Sequence, residues 1–145
     1  MGRIKNIYSK VPRLTVDLII RMQGGIVLTL RSLPSYHNQW HFPGGTVLYG
    51  ETIQQAVTRV AQDELGITVT MKGSLGYIEY PSEPKERGFG WSIALPILCD
   101  ATPQELKIND EASKVEVFST IPENTIAEQK EFLRAHWHAI FRQAP

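Results

Sequence analysis

The residues best suited to chemistry lie between Pro43 and Ile67. A Pro43-Gly44-Gly45 turn is followed by Glu51 and then by Arg59-Val60-Ala61-Gln62-Asp63-Glu64-Leu65-Gly66-Ile67. Positions three and four apart on a helix share a face, so a helix here sets Asp63 and Glu64 near Arg59 and Val60. Two acids and a guanidinium then surround one patch. Adjacent carboxylates on a rigid helix suit a hard divalent cation such as Mg²⁺, which takes oxygen ligands and keeps substrate phosphates in its shell. The glycines ahead of the helix leave backbone room for a phosphate or a metal to approach.

These groups need a scaffold. Residues 14–22 and 26–30 read as strands joined at Gln23-Gly24-Gly25, a hairpin turn signal. A loop over 31–38 carries Pro34, Tyr36 and His37, and Trp40-His41-Phe42 is a short strand entering the Pro-Gly-Gly turn. Thr52 is a candidate N-cap for the acid-bearing helix, and Gly66 a candidate C-terminal stop. Ile53, Ala56, Val57, Val60 and Ala61 follow the apolar stripe of a half-buried helix. Further strands are expected at 76–80, 89–99 and 115–118, with a polar loop at 81–88. A closing helix over 126–141 carries Ile126, Leu133, Trp137, Ile140 and Phe141. Helices flanking a mixed sheet make an α/β layered fold.

Composition narrows the classes of function. A chain of 145 residues fits one domain, 1–145, and can bury a single core. Fifteen basic residues balance fifteen acidic ones, so no global field points to nucleic acid or to an anionic membrane. There is no signal peptide and no apolar run long enough to span a bilayer. Cys99 is a lone cysteine, which excludes an intrachain disulfide and fits a reducing cytoplasm. Its apolar surroundings, Ile93 to Leu98, mark a buried, inert thiol rather than a nucleophile. There is no internal repeat and no low-complexity segment.

The stretch from Gly45 to Ile67 closely resembles the Nudix box, G-x5-E-x7-R-E-U-x-E-E-x-G-U, where U is a bulky aliphatic residue. Gly45 takes the first glycine, Glu51 the isolated acid, Arg59 the arginine and Glu64 the second paired acid, while Gly66 and Ile67 close the motif. Val60 stands where the motif has an acid, Asp63 replaces the first paired glutamate, and Ala61 is a small residue at an aliphatic position. The resemblance implies an α/β/α sandwich with a mixed sheet, a Mg²⁺ cofactor (or Mn²⁺) held by Glu64, Asp63 and the Gly45 region, and a small-molecule nucleotide substrate. It also implies that Arg59 positions Glu51 and Glu64 through charge-assisted hydrogen bonds.

The likeness extends beyond the box. Ser9-Lys10-Val11-Pro12, Val16-Asp17-Leu18-Ile19, Leu30-Arg31 and Trp40-His41-Phe42-Pro43-Gly44-Gly45 resemble the GDP-mannose hydrolase branch of the family. That branch lacks the same box acids, binds one Mg²⁺ and attacks a sugar carbon, with a late-loop histidine as general base. Asp17 and Arg31 match its polar substrate contacts. Asp110-Glu111-Ala112-Ser113 matches the late loop, but Ala112 and Ser113 stand where the branch has its glutamine ligand and its histidine.

Several residues support two readings. Asp63 is either a ligand, directly or through water, or a solvated helix acid. Val60 either extends the core stripe or marks the loss of one metal site. Glu111 is either an auxiliary base or ligand or an exposed loop acid. Arg31 is a substrate contact or a strand-end surface residue, and Lys85 with Arg87 either grips a phosphate or belongs to a solvated lid. His37, His41, His136 and His138 show no metal-ligand spacing. Three classes of function follow: a Mg²⁺-dependent hydrolase cutting the pyrophosphate of a nucleoside diphosphate linked to another moiety, a nucleotide-sugar glycosyl hydrolase, and a non-catalytic nucleotide-binding module. In the first, Glu64, Arg59, Glu51 and Glu111 are the catalytic set and Asp17, Arg31 and Arg87 the substrate contacts. The assembly is left open, a homodimer included.

Overall fold

Strand β1 (Arg13–Met22) sorts its side chains by alternation, as a pleated strand must. The structure, a computed structural model, describes residues 7–142. Val16, Leu18, Ile20 and Met22 point to one face of the sheet, and Thr15, Asp17 and Ile19 to the other. Gln23 (φ 51°) and Gly24 (φ 80°) turn the chain into β2 (Gly25–Arg31). Two consecutive positive φ angles match the hairpin turn whose twist suits its flanking strands.

The remaining elements are β3 (Trp40–His41), β4 (Gly44–Thr46), α1 (Ile53–Leu65), β5 (Thr70–Ser74), β6 (Ile78–Glu79), α2 (Glu83–Arg87), β7 (Ser92–Asp100), β8 (Ala112–Phe118) and α3 (Ala127–Arg142). The sheet runs β3-β2-β1-β7-β5, with β4 on β1, β6 on β7 and β8 on β2. β1 and β7 are parallel from Arg13↔Ser92 to Arg21↔Asp100, and the other pairs are antiparallel. The sheet is therefore mixed, as expected. On one face α1 buries Ala56, Val57, Val60, Ala61 and Leu65 against Val16, Leu18, Ile20 and Ile97. On the other, Phe132, Leu133 and Ile140 of α3 pack with Ile19, Ile26, Leu28 and Leu98. These three layers are an α/β/α arrangement.

Helix α1 has well-defined ends. Thr52 Oγ1 accepts from the Gln55 amide at 3.1 Å while Gln55 Oε1 accepts from the Thr52 amide at 2.9 Å, a reciprocal capping box. Gly66 stops it at φ 67°, its amide donating to the Gln62 carbonyl at 2.9 Å.

Four local expectations differ from the structure. Gly44 and Gly45 form β4, in register with Asp17 and Val16, rather than only a turn. A Cβ on Gly44 would lie 2.7 Å from both Asp17 Oδ1 and the Val16 carbonyl oxygen, so only glycine permits this pairing. β5 has no fully buried residue and so no apolar alternation to announce it. The polar loop at 81–88 contains α2, whose first turn is set by Pro84 near its N-terminus and by the buried Glu83. Ala112 and Ser113 belong to β8, with Ala112 opposite Arg31, rather than to the loop before it.

β1 and β2 pair next to their turn, at Arg21↔Ile26 and Met22↔Gly25. Farther along, β1 takes β4 as its neighbour and β2 takes β3. A cleft of about 400 Å³ opens where these strands diverge.

Candidate active site

The helix acids and the arginine divide their work. Arg59 Nε donates to Glu51 Oε2 at 2.7 Å and its terminal Nη2 to Glu51 Oε1 at 3.1 Å, a two-pronged carboxylate clamp. Nη2 also donates to the Thr46 carbonyl at 2.8 Å, tying α1 to β4. The Arg59 guanidinium, with the Leu48 amide, holds the Glu51 carboxyl below its ordinary range. Asp63 is 3.8 Å from Arg59, with a side chain 64% exposed.

Glu64 turns instead to a residue that sequence reasoning missed. Asn109 Nδ2 donates to Glu64 Oε2 at 2.7 Å, and Asn109 Oδ1 accepts from the Glu111 amide at 3.0 Å. One asparagine thus fixes the helix acid and the turn that carries Glu111. Burial raises the Glu64 pKa; the Asn109 bond opposes this, and the nearby charge of Glu111 adds to it. An isolated asparagine in a polar loop carries no sequence signal for this role.

Asp17 enters the cleft from β1. The Tyr80 hydroxyl donates to Asp17 Oδ2 through a short hydrogen bond, Gln129 Nε2 donates to the Tyr80 oxygen at 3.0 Å, and the Phe42 amide donates to Gln129 Oε1 at 2.7 Å. Burial pushes the Asp17 pKa up to about 7, against the Tyr80 bond and the charge of Arg13. Arg31 is buried, its Nε donating to the Ser35 carbonyl at 2.8 Å and Nη2 to Ser35 Oγ at 2.9 Å. Beside it, His41 bonds Thr29 Oγ1 at 3.0 Å and is kept neutral, its pKa pushed down to about 3 by burial and by Arg31.

The cleft is lined by Asp17, Arg31, Gly45, Arg59, Asp63, Glu64, Arg87 and Glu111, eight of the nine proposed site residues; the ninth, Glu51, reaches it through Arg59. Lys85 is exposed and does not line it. Arg59 clamps Glu51, whereas Glu64 is held by Asn109 and by a backbone hydrogen bond from Gly44. Val60 is 2% exposed and packs in the core, though its edge also meets the cleft. Arg13, Thr15 and Asp17 alternate along β1 and share one face, a period-two polar pattern that would have flagged Arg13.

Among the described residues no group of three or more His, Cys, Asp or Glu side chains is arranged to hold a metal. Magnesium asks for less, since one or two carboxylates plus substrate phosphates complete its shell. Glu64, with Glu111 in electrostatic reach and the Gly44-Gly45 backbone alongside, fits that requirement.

Comparison with known proteins identifies the family. A family model described as the NUDIX domain matches residues 11–140. The chain belongs to the Nudix family. It is 43% identical over 74 residues to the low-salt glycan biosynthesis protein Agl8 of Haloferax volcanii, covering 51% of this chain and 47% of that protein. It is 32% identical over 107 residues to an ADP-ribose pyrophosphatase of Methanocaldococcus jannaschii, covering 74% of this chain and 62% of that one. The chain thus matches about half to three-fifths of the length of these curated relatives. Among solved structures, the MutT protein from Methanosarcina mazei Go1 superposes with a TM-score of 0.74 at 22% identity, covering 88% of this chain and 95% of that one. That likeness carries the Nudix fold. No helix among the described residues is long and apolar enough to cross a membrane.

Proposed function

We propose that residues 1–145 act as one Nudix hydrolase domain that cleaves the pyrophosphate of a nucleoside diphosphate linked to another moiety, with Mg²⁺ (or Mn²⁺) as cofactor. The observation that carries this reading is the convergence of Glu64, Glu111 and Arg31 on one cleft, tied together by Asn109 and β8. When bound, the metal neutralises diphosphate charge and lowers the pKa of water. Glu64 would hold it as the principal ligand, with the Gly45 region and Asp63 contributing. Glu111, exposed on its turn, accepts a proton from water as the water oxygen attacks phosphorus. The P–O anhydride bond breaks, and the products are a nucleoside monophosphate and the phosphorylated partner moiety. Arg31 offers its remaining guanidinium N–H groups to a phosphate oxygen, Arg87 is a further substrate contact in the cleft, and Arg59 keeps Glu51 in place.

The relative named for glycan biosynthesis supports a sugar as the linked moiety and keeps nucleotide-sugar glycosyl hydrolysis as the second reading. Attack at a sugar carbon in that branch uses a histidine general base, and Ser113 at its position cannot serve alone. The test is a panel of nucleoside diphosphates, triphosphates, nucleotide sugars and ADP-ribose with Mg²⁺ or Mn²⁺, products read by mass. The reading predicts a nucleoside monophosphate from a diphosphate-linked substrate. Turnover of triphosphates alone, or of nothing in the panel, contradicts it.

A further inference from the structure

The charges of the cleft fall into two groups. Arg31 is coupled to Glu64 and Glu111, the acids proposed to handle the diphosphate. In the same cleft, Arg13 at the start of β1 and Arg87 at the end of α2 meet over a single carboxylate, Glu83. Glu83 is only 4% exposed. Its Oε1 accepts from the Ser92 amide at 2.8 Å, while Oε2 lies 3.8 Å from Arg13 Nη2 and 3.6 Å from Arg87 Nε. A Cβ on Gly90 would stand 2.9 Å from that same oxygen, so the glycine lets the carboxylate sit between the two arginines.

Glu83 is shared between the two guanidiniums. Burial, and after it the charge of Arg87, lowers the pKa of both Arg13 and Arg31, so Arg87 repels each of the other two. Arg87 Nε is buried and donates no hydrogen bond. A buried donor without a hydrogen bond is costly, and neighbouring guanidiniums favour oxyanions they can fork. Both arginines line the same cleft as Glu64 and Arg31.

We propose that Arg13 and Arg87, positioned by Glu83, form a second anion subsite that binds a carboxylate or phosphate carried by the moiety beyond the diphosphate. The proposal rests on the cleft being the substrate site. It narrows the substrate class to molecules with two separate anionic groups, the diphosphate near Arg31 and another oxyanion one step along.

The test is calorimetric binding to the metal-free protein in chelator, so that no hydrolysis is needed. One arm compares UDP-glucose with UDP-glucuronate, which differ by a carboxylate. The other compares ADP-ribose with ADP-ribose 1″-phosphate, which differ by a phosphate. The expected result is a Kd about tenfold lower for the charged member of at least one pair, a gain on the order of 1.4 kcal/mol. That preference should collapse in Arg13→Gln and Arg87→Gln and survive in part in Arg13→Lys, with folding of each variant checked by circular dichroism. Equal affinity within both pairs, including no binding by either member, overturns the proposal. So does a loss in the glutamine variants that falls equally on charged and neutral members. Hydrolysis is scored separately with metal: a binding preference without cleavage of any nucleotide would refute the pyrophosphohydrolase reading and leave the subsite standing.

Discussion

Asp17 is a carboxyl group that the fold prefers to keep protonated. Its pKa is raised from 3.8 to about 7 by burial, so the folded protein holds a proton there that the unfolded chain releases. Stability from this group is complete below the unfolded value and is lost as pH rises through about 7. His41 works in the opposite sense, since its lowered pKa makes the fold gain stability as pH rises from about 3 towards 6.5. Asp17→Asn removes only the first contribution. Its Tm relative to wild type should therefore improve steadily between pH 4 and pH 8 in scanning calorimetry; a difference independent of pH would contradict the assignment. Glu64 yields a second expectation, in rate. Glu64→Gln should keep the fold and lose on the order of 10²-fold or more in metal-dependent turnover, as removal of a catalytic electrostatic group does. Full activity in a folded variant would remove Glu64 from the metal site. Glu64, Glu51 and Arg59 could be singled out from the sequence because a long fixed spacing carries them. Asn109, Tyr80 and Gln129 could not, because their roles arise from contacts 45 to 87 residues away along the chain.

Helix α1 was the element most open to reading, and its ends show why. Thr52, Gln55 and Gly66 are local signals that act within a few residues, so they mean the same in sequence as in structure. Thr52→Ala should cost about 1 kcal/mol, a fall in Tm of a few degrees by thermal melt. No change in Tm would show that the capping box does not hold the helix start. β4, β5 and α2 were hidden for the converse reason. β4 is defined by its register with β1, β5 lies at a sheet edge without buried residues, and α2 is five residues long. Val60 belongs at this scale too. It is a core residue of α1, and a Cβ on Gly45 would lie 3.2 Å from its Cγ2. Val60→Glu should thus destabilise the protein by roughly 2–4 kcal/mol in denaturant unfolding, since it buries a charge. Added Mg²⁺ should restore part of that loss. A variant as stable as wild type without metal would mean that the position is not core.

At the scale of the whole molecule, the function depends on the fork in the sheet. β1 brings Asp17, β2 brings Arg31, α1 brings Glu64 and the turn before β8 brings Glu111, and no two of these four residues are neighbours in sequence. The sequence pattern indicated the layers and the box, but the arrangement of charge around the cleft emerges only when the strands diverge. Under the proposed function, this arrangement directs water to phosphorus rather than to a sugar carbon. Hydrolysis of a cleavable nucleotide sugar with Mg²⁺ in ¹⁸O-labelled water, with products read by mass, tests it directly. Label in a phosphate product is the predicted result; label exclusively in the released sugar would contradict it.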